Sequence, residues 1–370
     1  MKNNKPLEQE TSMQLLTLVP GHEALRYAIF TDRLTRPNNA GVIRDYRGAM
    51  ACHLALLKIR KALQAAAQTN RKTAAALVAI GIRVPFGGTE FHGPVVVDAD
   101  VLRRLETLTS AAPLHIPVLL ELLQQCDTQF PDVPQVLVFD TAFFADLPAR
   151  EYLYALDTDL ARAHGLRRFG YCGLLHAAAW QHAARTGATR ILSLCLEPQM
   201  ELAAIHGGRP VYVTSGVTPI EGLPGQTTCG DLDPGLVMLL AEELHWGPER
   251  LNTLFTRESG LKGLTGRVIT FDELFDAPKN KYTLARDVIR YRLLQASGMA
   301  FAAMGGIDAI ALSGRYPAAG RASAAWLKQQ TVFQRQCQPV AVHYLRTPVE
   351  FLVAEQALLL ARAAACRAAA

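Results

Sequence analysis

The 370-residue sequence lacks the cysteine patterns that organise small secreted domains and zinc sites. Its seven cysteines are an odd number, are widely spaced and include no C-x-x-C pair. Neither a disulfide framework nor a zinc knuckle is therefore indicated, and a reducing cytoplasm is the expected compartment. The ten histidines include no H-x-x-x-H pair with a third ligand, which argues against a metal hydrolase.

Long apolar runs and blocks of basic charge are lacking as well. The apolar runs are shorter than the roughly 20 residues needed to cross a bilayer. Residues 1–12 are polar and mixed in charge, without the apolar core of a signal peptide. The 38 basic and 33 acidic residues leave a net charge of +5, with no Lys/Arg block. We therefore expect a soluble protein that binds neither membranes nor nucleic acid.

Apolar residues are abundant, at 50% of the chain against 19% charged residues. This balance can repay the entropy of ordering, which excludes disorder as the main state. The length predicts two domains, each with a substantial core.

The hydrophobic pattern repeats once along the chain. The first half predicts two strands within 14–31, a helix over 48–69, a strand over 75–84, two helices flanking Pro113 and a buried strand at 135–139. The second half predicts strands at 191–196, 201–205, 210–214, 307–312 and 339–345, with helices over 234–258, 282–304 and the end of the chain. Two such halves indicate a duplicated α/β unit with a cleft between the halves.

Several segments, taken together and in order, carry a resemblance to a known family. They are GIRVPFGG (81–88), PLHIP (113–117), VLVFDTAF (136–143), YLYAL (152–156), RRFGYCGLLH (167–176) and GVTPIEGLPGQTTCGDLDP (216–234). The set resembles the acetate kinase family, whose counterparts are G-H-R-V-V-H-G-G, P-L-H-N-P, F-D-T-A-F-H, Y-L-Y, R-R-Y-G-F-H-G-T-S-H and G-F-T-P-L-E-G-L-M-M-G-T-R-S-G-D-I-D-P. With weaker similarity at both ends, the resemblance covers nearly the whole chain.

The resemblance implies an α/β fold of two RNase H-like domains, of the sugar-kinase, Hsp70 and actin type, with an interdomain cleft. The domains would be residues 1–148 plus 348–370, and residues 149–347. It also implies a homodimer that uses Mg²⁺ and ATP to phosphorylate a short carboxylate, with the acyl phosphate as product. Such enzymes hold the phosphoryl group in line by charge and hydrogen bonds rather than by covalent chemistry.

Three catalytic positions of the family are kept. The resemblance makes Arg83 the arginine that grips the carboxylate and the phosphoryl group, His115 a histidine lining the same site, and Asp140 the aspartate that orients groups around it. Without the family context, a surface ion pair, a core histidine and a turn cap are the preferred interpretations. The family's apolar acyl pocket falls on Pro85, Leu114, Tyr171 and Pro219, which would serve ordinary packing equally well.

The loops that hold the nucleotide are replaced. The first, N-x-G-S-[ST]-S-x-K, is VPGHEALR (19–26), so Val19 stands for the asparagine and Glu23 adds negative charge. The second, H-L-G-N-G-A-S, is CLEPQME (195–201), in which Glu197 and Gln199 replace glycines beside Pro198. These changes remove backbone N–H groups that could approach phosphate. The third, G-I-G-E-N, is GRYPA (314–318), which keeps only Gly314 as a cofactor-binding position.

Two catalytic side chains of the family are missing, since Cys172 replaces a histidine and Thr228 an arginine. Losing one preorganised donor costs roughly 10²–10³ in rate, and losing a phosphoryl-binding arginine roughly 10³–10⁵. A nucleophilic Cys172, with His176 or His115 as base, is a second interpretation, but a buried and inert cysteine is preferred. The metal-binding glutamate of the family corresponds to Glu350, or else its position is taken by Val349.

Two hypotheses follow. The preferred one is a degenerate acetate kinase homologue with little or no ATP-dependent phosphotransfer, which acts as a carboxylate or acyl-phosphate sensor or as a dimerising partner subunit. The rival is an active acetate or propionate kinase with a rearranged nucleotide site, in which Arg26, Arg209 or Arg315 replaces the missing arginine.

Overall fold

The computed structural model describes residues 13–21, 24–31, 33–69, 76–113, 115–278, 280–334 and 339–369. The chain divides into two compact units. Unit 1 comprises residues 1–142 and 347–370, and unit 2 comprises residues 143–346.

Each unit contains one β-sheet. The strands of unit 1 are β1 (Met13–Pro20), β2 (Ala24–Thr31), β3 (Asn39–Arg44), β4 (Ala76–Val84), β5 (Val95–Val96) and β6 (Gln135–Phe139). Those of unit 2 are β7 (Arg190–Leu196), β8 (Met200–His206), β9 (Arg209–Val213), β10 (Ala309–Gly314) and β11 (Ala341–Tyr344).

Helices follow most of the strands. In chain order they are α1 (Ala49–Thr69), α2 (Ala99–Thr107), α3 (Ile116–Gln129), α4 (Ala149–Tyr152), α5 (Thr158–Ala163), α6 (Gly173–Ala184), α7 (Pro234–Glu243), α8 (Pro248–Arg257), α9 (Gly260–Thr265), α10 (Phe271–Asp276), α11 (Thr283–Met304), α12 (Pro317–Lys328), α13 (Thr331–Gln334) and α14 (Val349–Ala369). None of the helices in the described ranges is long and apolar enough to cross a membrane.

The two sheets share one plan. In unit 1 the strand order is β3-β2-β1-β4-β6-β5, with β1, β4 and β6 parallel. In unit 2 the order is β11-β10-β7-β8-β9, with β11, β10 and β7 parallel. The carboxyl ends of the parallel strands therefore meet at one edge of each sheet, where α/β proteins place their sites.

Apolar side chains on the central strands build the cores. All five residues of β6 are buried, as are six of the eight residues of β1. Helix α14 lies close against the sheet of unit 1, since a Cβ on Gly81 of β4 would meet Val353 and Ala357 at 2.9 Å. In unit 2, α11 and α12 bury residues such as Ile289, Leu293 and Leu327 in one cluster with β7 and β10.

The predicted α/β order of both halves is confirmed. Strand β3 was not predicted, because in NAGVIR exposed residues alternate with residues only half buried, so the strand shows no apolar run. It pairs with β2 at the edge of the sheet.

Candidate functional site

The carboxyl edge of the sheet in unit 1 brings Arg83 and Asp140 together. Arg83 lies near the end of β4, and Asp140 directly follows β6, which pairs with β4 in parallel. The Asp140 N–H donates to the carbonyl of Val84 at 2.9 Å. The Arg83 Nε donates to the Asp140 carboxylate at 2.6 Å, with side chains 13% and 0% exposed respectively. The pair is therefore a buried one, and a surface ion pair is the wrong description of Arg83.

His115 lies beside the same edge. It directly precedes α3, and it lines one small cavity together with Arg83 and Pro85. Gly21, Tyr46 and Arg47 also line this cavity. Three predicted site positions, Arg83, Pro85 and His115, thus line the same cavity. Leu114 lies outside the described residues.

The predicted metal position forms an ion pair instead. The Glu350 carboxylate, at the start of α14, lies 3.2 Å from Nε of Arg26 on β2. Val19, which stands at the family's asparagine, is only 3% exposed within β1 and offers no side-chain oxygen. The described parts of the chain contain no group of three or more His, Cys, Asp or Glu side chains that could hold a metal. These residues do not fit the Mg²⁺ that the family uses.

His22 and Glu23, in the first replaced loop, lie outside the described residues.

Unit 2 brings the second and third replaced loops together at the carboxyl edge of its own sheet. Residues 197–199 form the turn between β7 and β8, and Arg315 follows β10. Two guanidinium N–H groups of Arg315 donate to one carboxylate oxygen of Glu197, at 2.6 and 2.8 Å. The side chain that replaces a loop glycine therefore holds the neighbouring loop by an ion pair.

A second set of contacts joins the same turn to residues 225–228. The hydroxyl of Thr228, at the position of the missing arginine, donates to the side-chain oxygen of Gln199. The N–H of Gln226 donates to the carbonyl of Pro198 at 2.8 Å, and its side chain donates to the Tyr316 hydroxyl at 2.9 Å. We name Glu197, Pro198, Gln199, Gln226, Thr228, Arg315 and Tyr316 the loop cluster. Groups at phosphate-binding positions of the family bind one another here.

Gly314 has a structural reason to be glycine. Its φ is +94°, and a Cβ there would lie 2.5 Å from the carbonyl oxygen of Leu196 on the adjacent strand. An L side chain would be strained in this backbone conformation and would clash with that strand. The glycine at this cofactor position is thus explained by the backbone alone.

Glu201 forms a buried network behind the loop cluster. It is 0% exposed, and its carboxylate accepts the backbone N–H groups of Tyr171 and Cys172, each at 2.8 Å. Nε2 of His176 lies 3.2 Å from the same carboxylate, and Nδ1 of His176 lies 2.7 Å from the hydroxyl of Ser193. Burial raises the pKa of Glu201, but the nearby His176 and Ser215 side chains and the Cys172 N–H outweigh it, so the pKa lies below its usual value.

The remaining predicted positions of unit 2 lie in ordinary packing or hydrogen-bonding environments. Cys172 is 6% exposed just before α6, in agreement with the preference for a buried cysteine. The Tyr171 hydroxyl donates to the carbonyl of Val217 at 2.6 Å, while Pro219 is half-buried. Arg209 begins β9 and pairs with His206, opposite Arg190 at the start of β7. It therefore lies at the end of the sheet away from the loop cluster.

Two residues of interest were missed in the sequence. Glu201 carries a signal, because a single carboxylate within the apolar run MELAAI has to find buried partners. Arg47 carries none, because the segment DYRG before α1 has the composition of an ordinary exposed loop.

Each unit is an α/β domain whose sheet has parallel central strands and antiparallel strands at an edge. A crystal structure of Porphyromonas gingivalis acetate kinase aligns with a TM-score of 0.79 and 24% identity, covering 94% of this chain and 99% of that one. A Francisella tularensis propionate kinase gives 0.78 and 22%, covering 93% and 98%. At these identities the likeness shows the fold.

Sequence comparison gives the family. The profile of the Acetokinase family matches residues 27–324, and the chain belongs to that family. It is 42% identical to the acetate kinase of Clavibacter michiganensis subsp. michiganensis over 241 residues, which are 63% of this chain and 61% of the relative. It is 36% identical to that of Shewanella amazonensis over 246 residues, 64% and 62% of the two chains. The matches therefore span about three fifths of the relatives' length.

Proposed function

We propose that this chain is an acetate kinase homologue with little or no ATP-dependent phosphotransfer, which keeps a small-anion site in unit 1. It would act as a sensor of short carboxylates or acyl phosphates, or as a partner subunit. The observation that carries this proposal is the loop cluster. Glu197 forms an ion pair with Arg315, and Gln199 accepts a hydrogen bond from Thr228, so these polar groups bind one another.

The charge arrangement supports the proposal. A nucleotide phosphate approaching the turn at 197–199 would meet the Glu197 carboxylate, which is 13% exposed and held in place by Arg315. Arg315 neutralises that carboxylate and is itself taken up by it. Pro198 adds a position without an N–H donor. The turn therefore offers a phosphate neither an uncommitted cation nor the backbone donors of a glycine loop.

Retention of Arg83, Asp140 and His115 around one edge favours the second candidate, an active kinase with a rearranged nucleotide site. Each of the three arginines that could replace the missing one either forms an ion pair or lies far from the loop cluster. Arg26 contacts Glu350, Arg315 contacts Glu197, and Arg209 lies at the far end of its sheet. This second candidate needs one of those ion pairs to open.

We expect the purified chain, given acetate and Mg·ATP in a hydroxamate assay, to turn over at least 100-fold more slowly than the Clavibacter michiganensis acetate kinase assayed in parallel. The reason is the combined loss of the arginine and histidine donors and of the phosphate loops. Thermal shift with millimolar Mg·ATP and Mg·ADP serves as the second readout, and no shift is expected. Turnover within tenfold of the relative would overturn the proposal in favour of the active kinase.

We also propose a homodimer, with α7 as part of its interface. None of the residues of α7 is buried, and Leu236, Met238 and Leu239 are 39%, 66% and 49% exposed. A contiguous exposed apolar helix is typical of an association surface. Leu239→Asp is expected to convert the dimer to a monomer in sedimentation velocity, whereas Val268→Asp, at an exposed apolar position in a loop, should leave it dimeric. A wild-type monomer at micromolar concentration would contradict this proposal.

A further inference from the structure

The cavity of unit 1 contains a second arginine, Arg47, besides the one that the family resemblance assigns. Arg47 and Arg83 line the same cavity, with His115 as a third nitrogen-bearing side chain. Among the described residues that line it, none is acidic. The buried Asp140 pairs with Arg83. Among the described residues at the cavity, basic side chains therefore outnumber carboxylates.

Arg47 is partly buried and follows a tyrosine that is itself fully buried. The neighbouring Tyr46 is 2% exposed, and its hydroxyl donates to the Gly21 carbonyl at 2.7 Å. Arg47 hydrogen-bonds to the same tyrosine. The Nε atom of Arg47 is buried, yet this atom has no hydrogen-bond partner in the part of the chain that the structure describes. A buried guanidinium N–H without a protein acceptor points to a ligand oxygen.

The number of positive groups indicates which ligand fits. One arginine can bind a monocarboxylate by two parallel, bidentate hydrogen bonds. A phosphate dianion offers a third oxygen and a second negative charge, which a second arginine can bind. On the cavity wall, Pro85, Val118 and Leu119 offer carbon to a short acyl chain. We infer that Arg47 is a ligand-binding residue and that this cavity selects a phosphate dianion, free or carried on a short acyl group, over a monocarboxylate and without nucleotide. The inference rests on the small-anion site of the proposed function and names its ligand class.

The test compares wild type with Arg47→Met, Arg47→Lys and a matched control, Arg60→Met, which removes an exposed arginine of α1 in the same unit. Isothermal titration at constant ionic strength uses inorganic phosphate, acetyl phosphate and acetate as separate probes. We expect wild type and Arg60→Met to bind both phosphates at least tenfold more tightly than acetate. Arg47→Met should lose at least tenfold in phosphate affinity and less than threefold in acetate affinity, and Arg47→Lys should fall between. The two phosphate arms distinguish free phosphate from an acyl phosphate.

Equal wild-type affinity for phosphate and acetate would overturn the inference. So would an Arg47→Met variant that binds the phosphates as the Arg60→Met control does. A melting temperature of Arg47→Met close to that of wild type shows that the loss of affinity is not a loss of folding. The hydroxamate assay separates the two proposals, because normal turnover refutes the proposed loss of phosphotransfer while the affinity comparison still decides the role of Arg47.

Discussion

Replacing Glu201 with alanine should lower the free energy of unfolding by about 3–5 kcal/mol, because two buried backbone N–H groups lose their acceptor at a cost of about 1–3 kcal/mol each. The substitution removes the common acceptor of the Tyr171 and Cys172 N–H groups and the carboxylate beside the buried His176. For a unit of this size the melting temperature should fall by about 10 °C. Urea and thermal denaturation followed by circular dichroism measure both quantities.

Two variants calibrate that result. Glu201→Gln keeps the shape and one acceptor oxygen, so its loss should be smaller. Glu197→Ala breaks an ion pair whose arginine is 42% exposed and should change stability by about 1 kcal/mol or less. An effect of Glu201→Ala no larger than that of Glu197→Ala would refute a structural role for the network.

Acidification gives the same network a second readout. Because the folded-state pKa of Glu201 lies below its unfolded value of about 4.3, its contribution is complete above that value and is lost as the pH falls through the folded pKa. The stability difference between wild type and Glu201→Gln should therefore shrink below about pH 4.

Arg83→Met should cost about 3–5 kcal/mol of unfolding free energy, since it leaves the fully buried Asp140 carboxylate without its guanidinium. The double variant Arg83→Met/Asp140→Leu removes both charges and should recover a large part of that loss, because an apolar pair of similar volume can replace a buried ion pair. Denaturant titration of wild type, the single variants and the double variant completes the cycle.

The cycle also separates stability from binding. The double variant should regain stability without regaining any affinity for acetyl phosphate, because the proposed site binds its ligand through the Arg83 guanidinium. If the double variant were as unstable as the sum of the two single changes, the ion pair would not be the source of the effect.

Much of the fold could be predicted from the sequence because its strands are continuous apolar runs. β6 (QVLVF) and β10 (AIALSG) show such a run directly, whereas the edge strand β3 does not, since half of its residues face solvent. The positions of Arg83 and Asp140 beside each other follow from parallel pairing of β4 with β6, which family resemblance implies and residue spacing alone does not.

The loop cluster could not be predicted, for a physical reason. The substitutions at Glu197, Gln199 and Thr228 are visible in the sequence as losses, one at a time. Their contacts join residues 29 and 118 positions apart, so the new interactions exist only once the sheet of unit 2 has aligned its strands. The sequence shows which family groups are missing but not what their replacements bind.

Mutual pairing within the loop cluster also constrains how this chain could evolve. Restoring a glycine at Glu197 alone would leave Arg315 without its carboxylate, and restoring the arginine at Thr228 alone would deprive Gln199 of its hydroxyl partner. Substitutions at contacting positions are not additive, so each reversion depends on the others. A return to the family's loop residues would therefore have to change several contacting positions together, although each single step costs little stability.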